Sequence, residues 1–442
     1  MSTPGNAIAP PLAPATTFRS ASPLRRWLVV VVLLAALPHV PGLASDFGRS
    51  LLTQMGIAAV FALSYNVLFG QTGLLSFGHA VYFGLGGYAA VHLMRAINHG
   101  LPLPMPFVPI AGAAAGLLFG LALGALTTRR AGTIFALISL GVGELVYAAT
   151  FMLPGLFGGE EGITASRTKA PVLAGLDLGS QLQVYYLVAA WAVVAAVGMR
   201  AFADTPAGRM CNAVRDNPER AEFVGYDPRR VRFVAFAVAG LFAGLAGGLH
   251  AINYEIVAAD AVGAQRSGTV LIMACLGGTG HFAGPVLGAI LLTWLQTSLS
   301  AYTNAWQLYV GLVFIAVILF APGGLAGLFA LHAGVVRTRA FRGVLTAYAL
   351  AAGPAVAMLA GGALLVEMSH RLATQRELGP VLKLGTLAVD ASTPWPWLAG
   401  AVLALGGWLA LRATFPLVGR AWEAASGEAA SAAARGTRPP PP

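Results

Sequence analysis

The stretch ADTPAGRMCNAVRDNPERAEFVGYDPRRVR (203–232), with six arginines and five acidic residues, lies between two long apolar runs. These runs are QVYYLVAAWAVVAAVGM (183–199) and FVAFAVAGLFAGLAGGL (233–249). A charged side chain costs about 3 kcal/mol at the centre of a bilayer and nothing in water. The stretch 203–232, called the polar island below, is therefore predicted to lie outside a membrane that both flanking runs cross.

The composition is that of a polytopic membrane protein. Of the 442 residues, 57% are hydrophobic and 10% are charged, whereas soluble domains have about 25% charged residues. The net charge of +10 comes mainly from arginines spread over several loops. This distribution is typical of the positive-inside bias and argues against nucleic-acid binding. Cys211 and Cys275 are far apart, so neither a disulfide framework nor a metal site is predicted.

Apolar segments of about 20 residues predict the membrane spans. Ten core segments lie at 27–44, 51–69, 74–95, 107–127, 131–153, 183–202, 232–252, 267–280, 283–301 and 303–321, and two more follow at 343–366 and 395–412. The segment 267–280 is short and rich in glycine, which is compatible with a broken or re-entrant helix. Residues 1–24 are predicted to be a disordered tail. We favour a retained first span over a cleaved signal peptide.

Charge predicts the orientation of these spans. With the N-terminus inside, ten alternating crossings place Arg129, Arg130 and the polar island inside, in agreement with the positive-inside rule. The same crossings place Arg337, Arg339 and Arg342 inside as well. The loop at 154–182 then lies outside, with Glu160, Glu161, Arg167 and Lys169 exposed.

Two glycine-rich stretches resemble each other. GQTGLLSFGHAVYFGLGGY (70–88) and GGTGHFAGPVLGAILLTW (277–294) both place Gly, Thr, Gly, Phe and Gly before an interrupted apolar run. Paired interrupted helices in two halves of a chain point to a transporter with its path at the repeat interface. Glycine also permits close helix packing, so the repeat by itself leaves both interpretations open.

Glu144 and His79 are two ionisable residues inside predicted spans that could have a chemical role. Glu144 is either a proton relay or an acid paired within the protein, and His79 either titrates or makes a hydrogen-bonded helix contact. For both residues we favour the structural role. The sequence contains no HExxH motif, no Walker motif and no nucleophile–base set, so enzymatic activity and ATP hydrolysis by this chain are not predicted.

The polar island itself predicts a short helix on the membrane face. Pro206 follows Asp204 and Thr205, either of which is a candidate N-cap, and Gly225 is expected to end the helical part. Charges of both signs on such a helix favour a docking surface for a partner. The alternative is a solvated loop held by its own ion pairs.

Taken together, these motifs resemble those of the LivM-type permeases, the membrane subunits of ABC importers for branched-chain amino acids. The resemblance rests on GQTGLLSFGHAVYFGLGGYAA, GGEEGIT, the polar island with its TPAGR start, LGGTGHFAGPVLGA and FAPGGLAGL, and it covers about 26–331. It implies an all-α transmembrane domain of the type II importer class, with about ten core helices in 25–331. It also implies a LivH-like second permease, two cytosolic ATPase subunits that bind the ATP, and a periplasmic binding protein. Apart from membrane lipid, no other partner and no cofactor or metal of its own are expected.

The resemblance also implies roles for particular residues. The ATPase-coupling segment would contain Ala213, Arg215, Asp216, Asn217, Glu219, Arg220, Ala221 and Gly225. The substrate path would be lined or shaped by Gly70, Gly73, Ser76, Phe77, Gly78, His79, Gly277, Gly278, Gly280 and Gly284. Glu160, Glu161 and Arg167 are positioned for contact with the binding protein. The location implied is the bacterial cytoplasmic (inner) membrane.

The segment 332–442 departs from this pattern, because such permeases end shortly after a PGGLAG stretch. It adds two predicted helices and a disordered end, and its role is not evident from the sequence. Two alternative functions remain. A urea or short-amide importer permease would share the architecture, whereas an ion-coupled secondary transporter would use Glu144 and His79 as relays and would not need the polar island.

Overall fold

The computed structural model describes residues 23–169, 171, 177–336, 341–374, 381–384 and 387–436. The predicted tail up to residue 22, Arg337, Arg339 and the last six residues lie outside these ranges. The helices, in chain order, are α1 (Pro23–Ala36), α2 (Asp46–Thr72), α3 (Ala80–Asn98), α4 (Val108–Thr127), α5 (Gly132–Met152), α6 (Pro154–Phe157), α7 (Gln181–Asp204), α8 (Pro206–Asp216), α9 (Pro218–Phe223), α10 (Pro228–Tyr254), α11 (Ala264–Gly277), α12 (Gly284–Ser300), α13 (Trp306–Phe320), α14 (Gly324–Val335), α15 (Phe341–Thr374) and α16 (Pro394–Gly436).

The predicted all-α architecture is confirmed. Ten core helices, each 14 residues or longer, correspond to the ten core segments, and α15 and α16 correspond to the two that follow. Not all of them are full-length spans. In the described part of the chain seven helices are long and apolar enough to cross a membrane, or eight if α13 and α14, bent by 49°, form one span. Five of the seven belong to the core. α11 has only 14 residues, about 21 Å, which is less than the roughly 30 Å of hydrocarbon.

The chain divides into two compact units. One is Leu34–Leu331, and the other comprises the described parts of Met1–Leu33 and His332–Pro442. In the second unit α15 packs on α16, and glycines make the approach close. A Cβ atom at Gly361 would collide with the backbone of Gly400 and Ala404 on the facing helix. Strands β3 (Val381–Leu384) and β4 (Leu387–Asp390) form an antiparallel hairpin in the same unit.

The core of the larger unit is built around α10, which packs on α2, α3 and α4. The backbones of α4 and α10 touch, because a Cβ atom at Gly116 would collide with the carbonyl oxygen of Gly240. Gly112 lies against Gly248 and Gly124 lies against Phe236, so the two helices are antiparallel. The end of α4 thus reaches the end of the bundle at which α10 begins.

The polar island marks that end, which is called the island end below. α2 and α7 also finish there, since both run antiparallel to α10. At the opposite end, the Gln181 side chain at the start of α7 donates to Asn253 near the end of α10 at 3.0 Å. A two-residue strand pair, β1 (Ile163–Thr164) with β2 (Ile256–Val257), ties the loop after α6 to the end of α10 at the opposite end.

Candidate functional site

The polar island folds as two short helices with regular caps. Its helices α8 and α9, and α10 after them, each begin with a proline that follows a side-chain cap. Thr205 Oγ1 accepts from Gly208 N at 3.1 Å, and Asn217 Oδ1 accepts from Arg220 N at 2.9 Å. Asp227 Oδ1 accepts from Arg229 N at 2.9 Å. The N-cap of α8 is therefore Thr205 and not Asp204, the other candidate. Proline at the first helical position loses no hydrogen bond, because its missing N–H would have no partner within the helix. A capping side chain followed by proline therefore accounts for where each of the three helices begins.

The predicted coupling residues form an exposed surface on these helices. Arg215, Asp216, Asn217, Glu219, Arg220 and Gly225 are exposed, Ala213 is half-buried and Ala221 is buried. Gly225 has φ of +92°, a conformation that glycine adopts without strain, and it follows the end of α9 as predicted. Cys211 and Val214 point the other way and are buried. Burial raises the pKa of the Cys211 thiol to about 12.

An apolar tip projects from the end of α9. The Phe223 side chain is 91% exposed and Val224 is 70% exposed. Large apolar side chains at the tip of a charged segment have no packing partner in the described part of the chain. Such a tip is typical of a surface that another protein covers.

The first glycine-rich stretch is a break between two helices. α2 ends at Thr72, α3 begins at Ala80, and residues 73–79 are not helical. A break frees backbone groups, which must find partners in a membrane. The Phe77 amide donates to Ser139 Oγ on α5 at 3.0 Å, and the Ala80 amide donates to Ser267 Oγ on α11 at 3.0 Å. Two serines on other helices thereby hold the break in place.

His79 is the last residue of this break, directly before α3, and is buried. Its Nε2 atom is 3.0 Å from Ser64 Oγ, and its ring stacks on Phe61 at a centroid distance of 5.5 Å. Tyr65 meets the same ring edge-on, with 5.2 Å between centroids. Among the described residues no carboxylate contacts His79. Its surroundings are those of a packed helix contact, the role that the sequence analysis favoured.

The second glycine-rich stretch begins with the turn between α11 and α12, and its remainder is the first part of α12. Gly277 packs on the backbone of Gly284, and Gly278 packs on the backbone of Gly323 and Gly324. The two stretches also meet, because a Cβ atom at Gly70 would lie 3.1 Å from the carbonyl oxygen of Thr279. Ser76, Gly78, His79, Gly277, Gly278 and Gly284 are buried, Phe77 is half-buried, and Gly73 and Gly280 are exposed. Their role in a path stays a prediction.

One side chain joins the polar island to the first break. Nη1 of Arg215 donates to the carbonyl oxygen of Gly70 at 2.5 Å, and its Cγ atom packs over Gly73. Its Nε atom pairs with Asp216 at 3.0 Å. Arg215, one of the residues predicted for ATPase coupling, is thus in direct contact with Gly70 and Gly73, which were predicted for the substrate path.

At the opposite end, the three residues predicted to contact a binding protein differ in their surroundings. Glu160 and Glu161 are exposed. The Arg167 guanidinium instead donates to the carbonyl oxygens of Asn253 at 3.1 Å and Leu178 at 2.9 Å, and its backbone amide donates to Glu255. Arg167 therefore caps the end of α10, and partner contact at this end stays a prediction.

Glu144 lies on the outer face of α5. This face is exposed in the chain and otherwise consists of apolar or small residues, among them Leu137, Gly141 and Leu145. No hydrogen bond or ion pair to Glu144 is formed by the described residues. The pairing within the chain that the sequence analysis favoured is not present there.

Comparison with known proteins fits this arrangement. The family of branched-chain amino acid transport system permease components matches residues 49–322, which include both glycine-rich stretches and the polar island. The chain belongs to this family. Within it, the chain is 27% identical over 327 residues to the LivM high-affinity branched-chain amino acid permease of Escherichia coli K12, a match that covers 69% of this chain and 76% of the relative.

Two further relatives match over shorter stretches. A probable LivH permease of Methanocaldococcus jannaschii is 25% identical over 307 residues, covering 64% of this chain and 95% of the relative. An autoinducer 2 import permease, LsrC of an Enterobacter species, is 30% identical over 261 residues, covering 52% of this chain and 67% of the relative. No solved structure matches the chain.

The chain is accordingly a multi-pass membrane protein and an ABC importer permease of the LivM type. The alternative of an ion-coupled secondary transporter is set aside by this membership. The matched region ends at residue 322, so α15 and α16 lie beyond it.

Proposed function

We propose that this permease moves branched-chain amino acids inward across a bacterial cytoplasmic membrane, driven by ATP that partner subunits bind and hydrolyse. The observation that carries the proposal is the contact of Arg215 with Gly70, which ties the polar island to the α2–α3 break. A rigid-body movement of the island is thereby passed to a helix break next to the second glycine-rich turn. The substrate class follows the LivM and LivH relatives. The permease itself is proposed to hold no cofactor or metal.

The polar island is proposed to be the site at which the ATPase subunits dock, which places the island end in the cytosol. Arg129 and Arg130 follow α4 at the same end, as the positive-inside rule requires of a cytosolic face. The N-terminus is then cytosolic too. Phe223 and Val224 would enter an apolar groove on the ATPase, with Arg220 and Glu219 around them.

A second, LivH-like permease is proposed to cover the exposed face of α5. A carboxylate in the middle of a span needs a cation, a hydrogen-bond donor or water next to it. No described residue provides Glu144 with a cation or a hydrogen-bond donor. The proposed partner therefore supplies a basic or amide side chain at the same depth in the membrane. Gly141, one turn before Glu144, leaves room for close helix approach.

The periplasmic binding protein is proposed to dock at the opposite end, where Glu160 and Glu161 are exposed. A urea or short-amide solute remains the alternative within the same class. The similarity to LsrC adds autoinducer 2 as a solute to test.

Uptake by the reconstituted system tests the proposal. The permease, its copurifying partners and the binding protein are placed in proteoliposomes, and labelled leucine, urea and autoinducer 2 are supplied from the binding-protein side. ATP-dependent accumulation of leucine supports the proposal. Accumulation of urea or autoinducer 2 in place of leucine would show that the proposed substrate class is wrong. Uptake driven by an ion gradient without ATP would overturn the proposed mechanism.

A further inference from the structure

A cavity of about 150 Å³ lies near the opposite end, between α2, α3, α10, α11 and α12. None of the residues that the sequence analysis assigned to the path lines it. One wall is apolar, with Phe61, Phe83 and Met273, and the other carries Gln54, Arg266 and Thr269. A concave pocket in which an apolar wall faces a few converging polar groups is a common form of small-molecule site.

Arg266 is held in place at this cavity. Its Nη2 atom contacts Asp260 Oδ2 at 3.3 Å, and its Cζ atom lies 5.3 Å from the centroid of the Phe83 ring. The stacking and the ion pair fix the guanidinium plane while engaging one of its five N–H groups. A guanidinium fixed in this way is well suited to bind a carboxylate, to which its free N–H groups can donate.

The apolar wall is continuous with the α2–α3 break. The Phe61 ring lies 4.6 Å from the Phe83 ring and 5.5 Å from the His79 ring, measured between centroids. A change in the packing of the break is therefore expected to move this wall, because close-packed side chains transmit displacements to their neighbours.

We propose that this cavity is a solute site within the single permease subunit, and that it takes a compact aliphatic α-amino acid. Arg266 binds the carboxylate, and the aliphatic side chain packs on Phe61 and Met273. This inference rests on the proposed function and deepens it by placing the solute next to the break that Arg215 contacts.

Filling the cavity is the first test, made with the complete transport complex. Met273→Trp adds a large side chain to the apolar wall, whereas Ile290→Trp adds one at an exposed position of α12 that does not line the cavity. We expect Met273→Trp to reduce ATP-dependent leucine uptake at least about tenfold and Ile290→Trp to leave it near the wild-type rate. A Met273→Trp complex that assembles and transports like the wild type overturns the inference.

A second test does not depend on whether the permease still folds with a tryptophan in place of Met273. Thr269→Cys, in a Cys275→Ala background, is treated with a charged thiol reagent from the side of the opposite end. Protection by L-leucine but not by L-leucinol, which lacks the carboxylate, supports the assignment. Absence of labelling, absence of protection, or equal protection by both compounds contradicts it.

The two proposals fail in different ways. If the wild-type complex takes up no leucine, the proposed function is wrong. If the wild type takes up leucine while both cavity tests are negative, only the location of the solute site is wrong.

Discussion

Arg215 on the polar island donates a hydrogen bond to the backbone carbonyl oxygen of Gly70, 145 positions away in the sequence. That carbonyl belongs to the last turn of α2, where helix carbonyls lack partners within the helix. A charged donor from α8 therefore completes the end of a transmembrane helix. This contact is the physical basis for the coupling role that we propose.

The first prediction concerns this contact. Arg215→Ala removes a charge-assisted hydrogen bond of about 1.5–3 kcal/mol, so we expect uptake to fall about tenfold or more. ATP hydrolysis should continue in the same preparation, because the docking surface around Phe223 is intact. Asp216→Ala is the control, since it removes only the exposed partner of Nε. Loss of uptake in both variants to the same extent would mean that the Gly70 contact has no special role.

The second prediction concerns the serines that hold the break. Ser139→Ala leaves the half-buried Phe77 amide without its acceptor, and Ser267→Ala does the same to the buried Ala80 amide, at a cost of up to about 1–3 kcal/mol each. We expect a lower midpoint of thermal unfolding for each variant in detergent. Ser300→Ala serves as the control, because its exposed hydroxyl bonds only to its own helix. Equal midpoints for all variants would show that the break is held by other contacts.

The third prediction concerns helix packing. Gly247→Ala places a Cβ atom against the carbonyl oxygen of Phe83, so α3 and α10 must separate. Overpacking of this kind costs about 1–3 kcal/mol, and we expect reduced accumulation of folded permease in the membrane. Gly311→Ala, where the Cβ atom meets open space, should accumulate normally. Normal levels of Gly247→Ala permease would contradict the close packing of these helices.

The fourth prediction tests the proposed permease partner. Glu144→Leu removes the carboxylate that the second permease is expected to neutralise, leaving the partner's donor buried and unpaired. The amount of second permease that copurifies should fall, and Glu144→Gln should fall less because an amide still forms hydrogen bonds. Glu160→Leu makes the same change in an exposed loop and should have no effect. Unchanged copurification of Glu144→Leu would place the partner on another face.

The fifth prediction concerns the thiol of Cys211. Burial raises its pKa to about 12, well above the ordinary value of a thiol, so the thiol stays protonated and shielded in the folded protein. In a Cys275→Ala background, which leaves Cys211 as the remaining thiol, alkylation at about pH 8.5 should be slow until the protein is denatured. Because the unfolded thiol ionises first, the free energy of unfolding should decrease as pH rises from about 9 towards 12. Rapid alkylation of the native permease would show that α8 opens.

Much of the architecture could be predicted from the sequence because its signals are local. Thr205 with Pro206 marks the start of α8, and apolar runs of sufficient length mark α2 and α10. The segment predicted for α11, 267–280, has the observed 14 residues but lies three positions too far along the chain, and α12 is two residues shorter than the segment predicted for it. An apolar run does not show at which of several glycines a helix ends. Gly278, with φ of +96°, lies between these two helices.

The contacts of the site were less accessible to sequence reasoning. Ser139 and Ser267 are single small polar residues in apolar helices, and only their positions opposite the break give them a role. The sequence shows Arg167 only as a charged residue in the same loop as Glu160 and Glu161, and it does not show that the guanidinium reaches back to the end of α10. Arg266 directly precedes the predicted span 267–280, and the sequence does not show that Phe83 of α3 lies beside it.

The central claim, that the polar island docks on an ATPase, is tested most directly by photo-crosslinking at position 223. The photoreactive amino acid p-benzoylphenylalanine replaces Phe223 in the complete complex, and it replaces Tyr302 as the control. The Tyr302 side chain is also exposed, at 90%, but lies in the turn after α12, at the opposite end. The account predicts a covalent product with an ATPase subunit from position 223 and none from position 302. Products with lipid alone from position 223, in a complex that still transports, would contradict it.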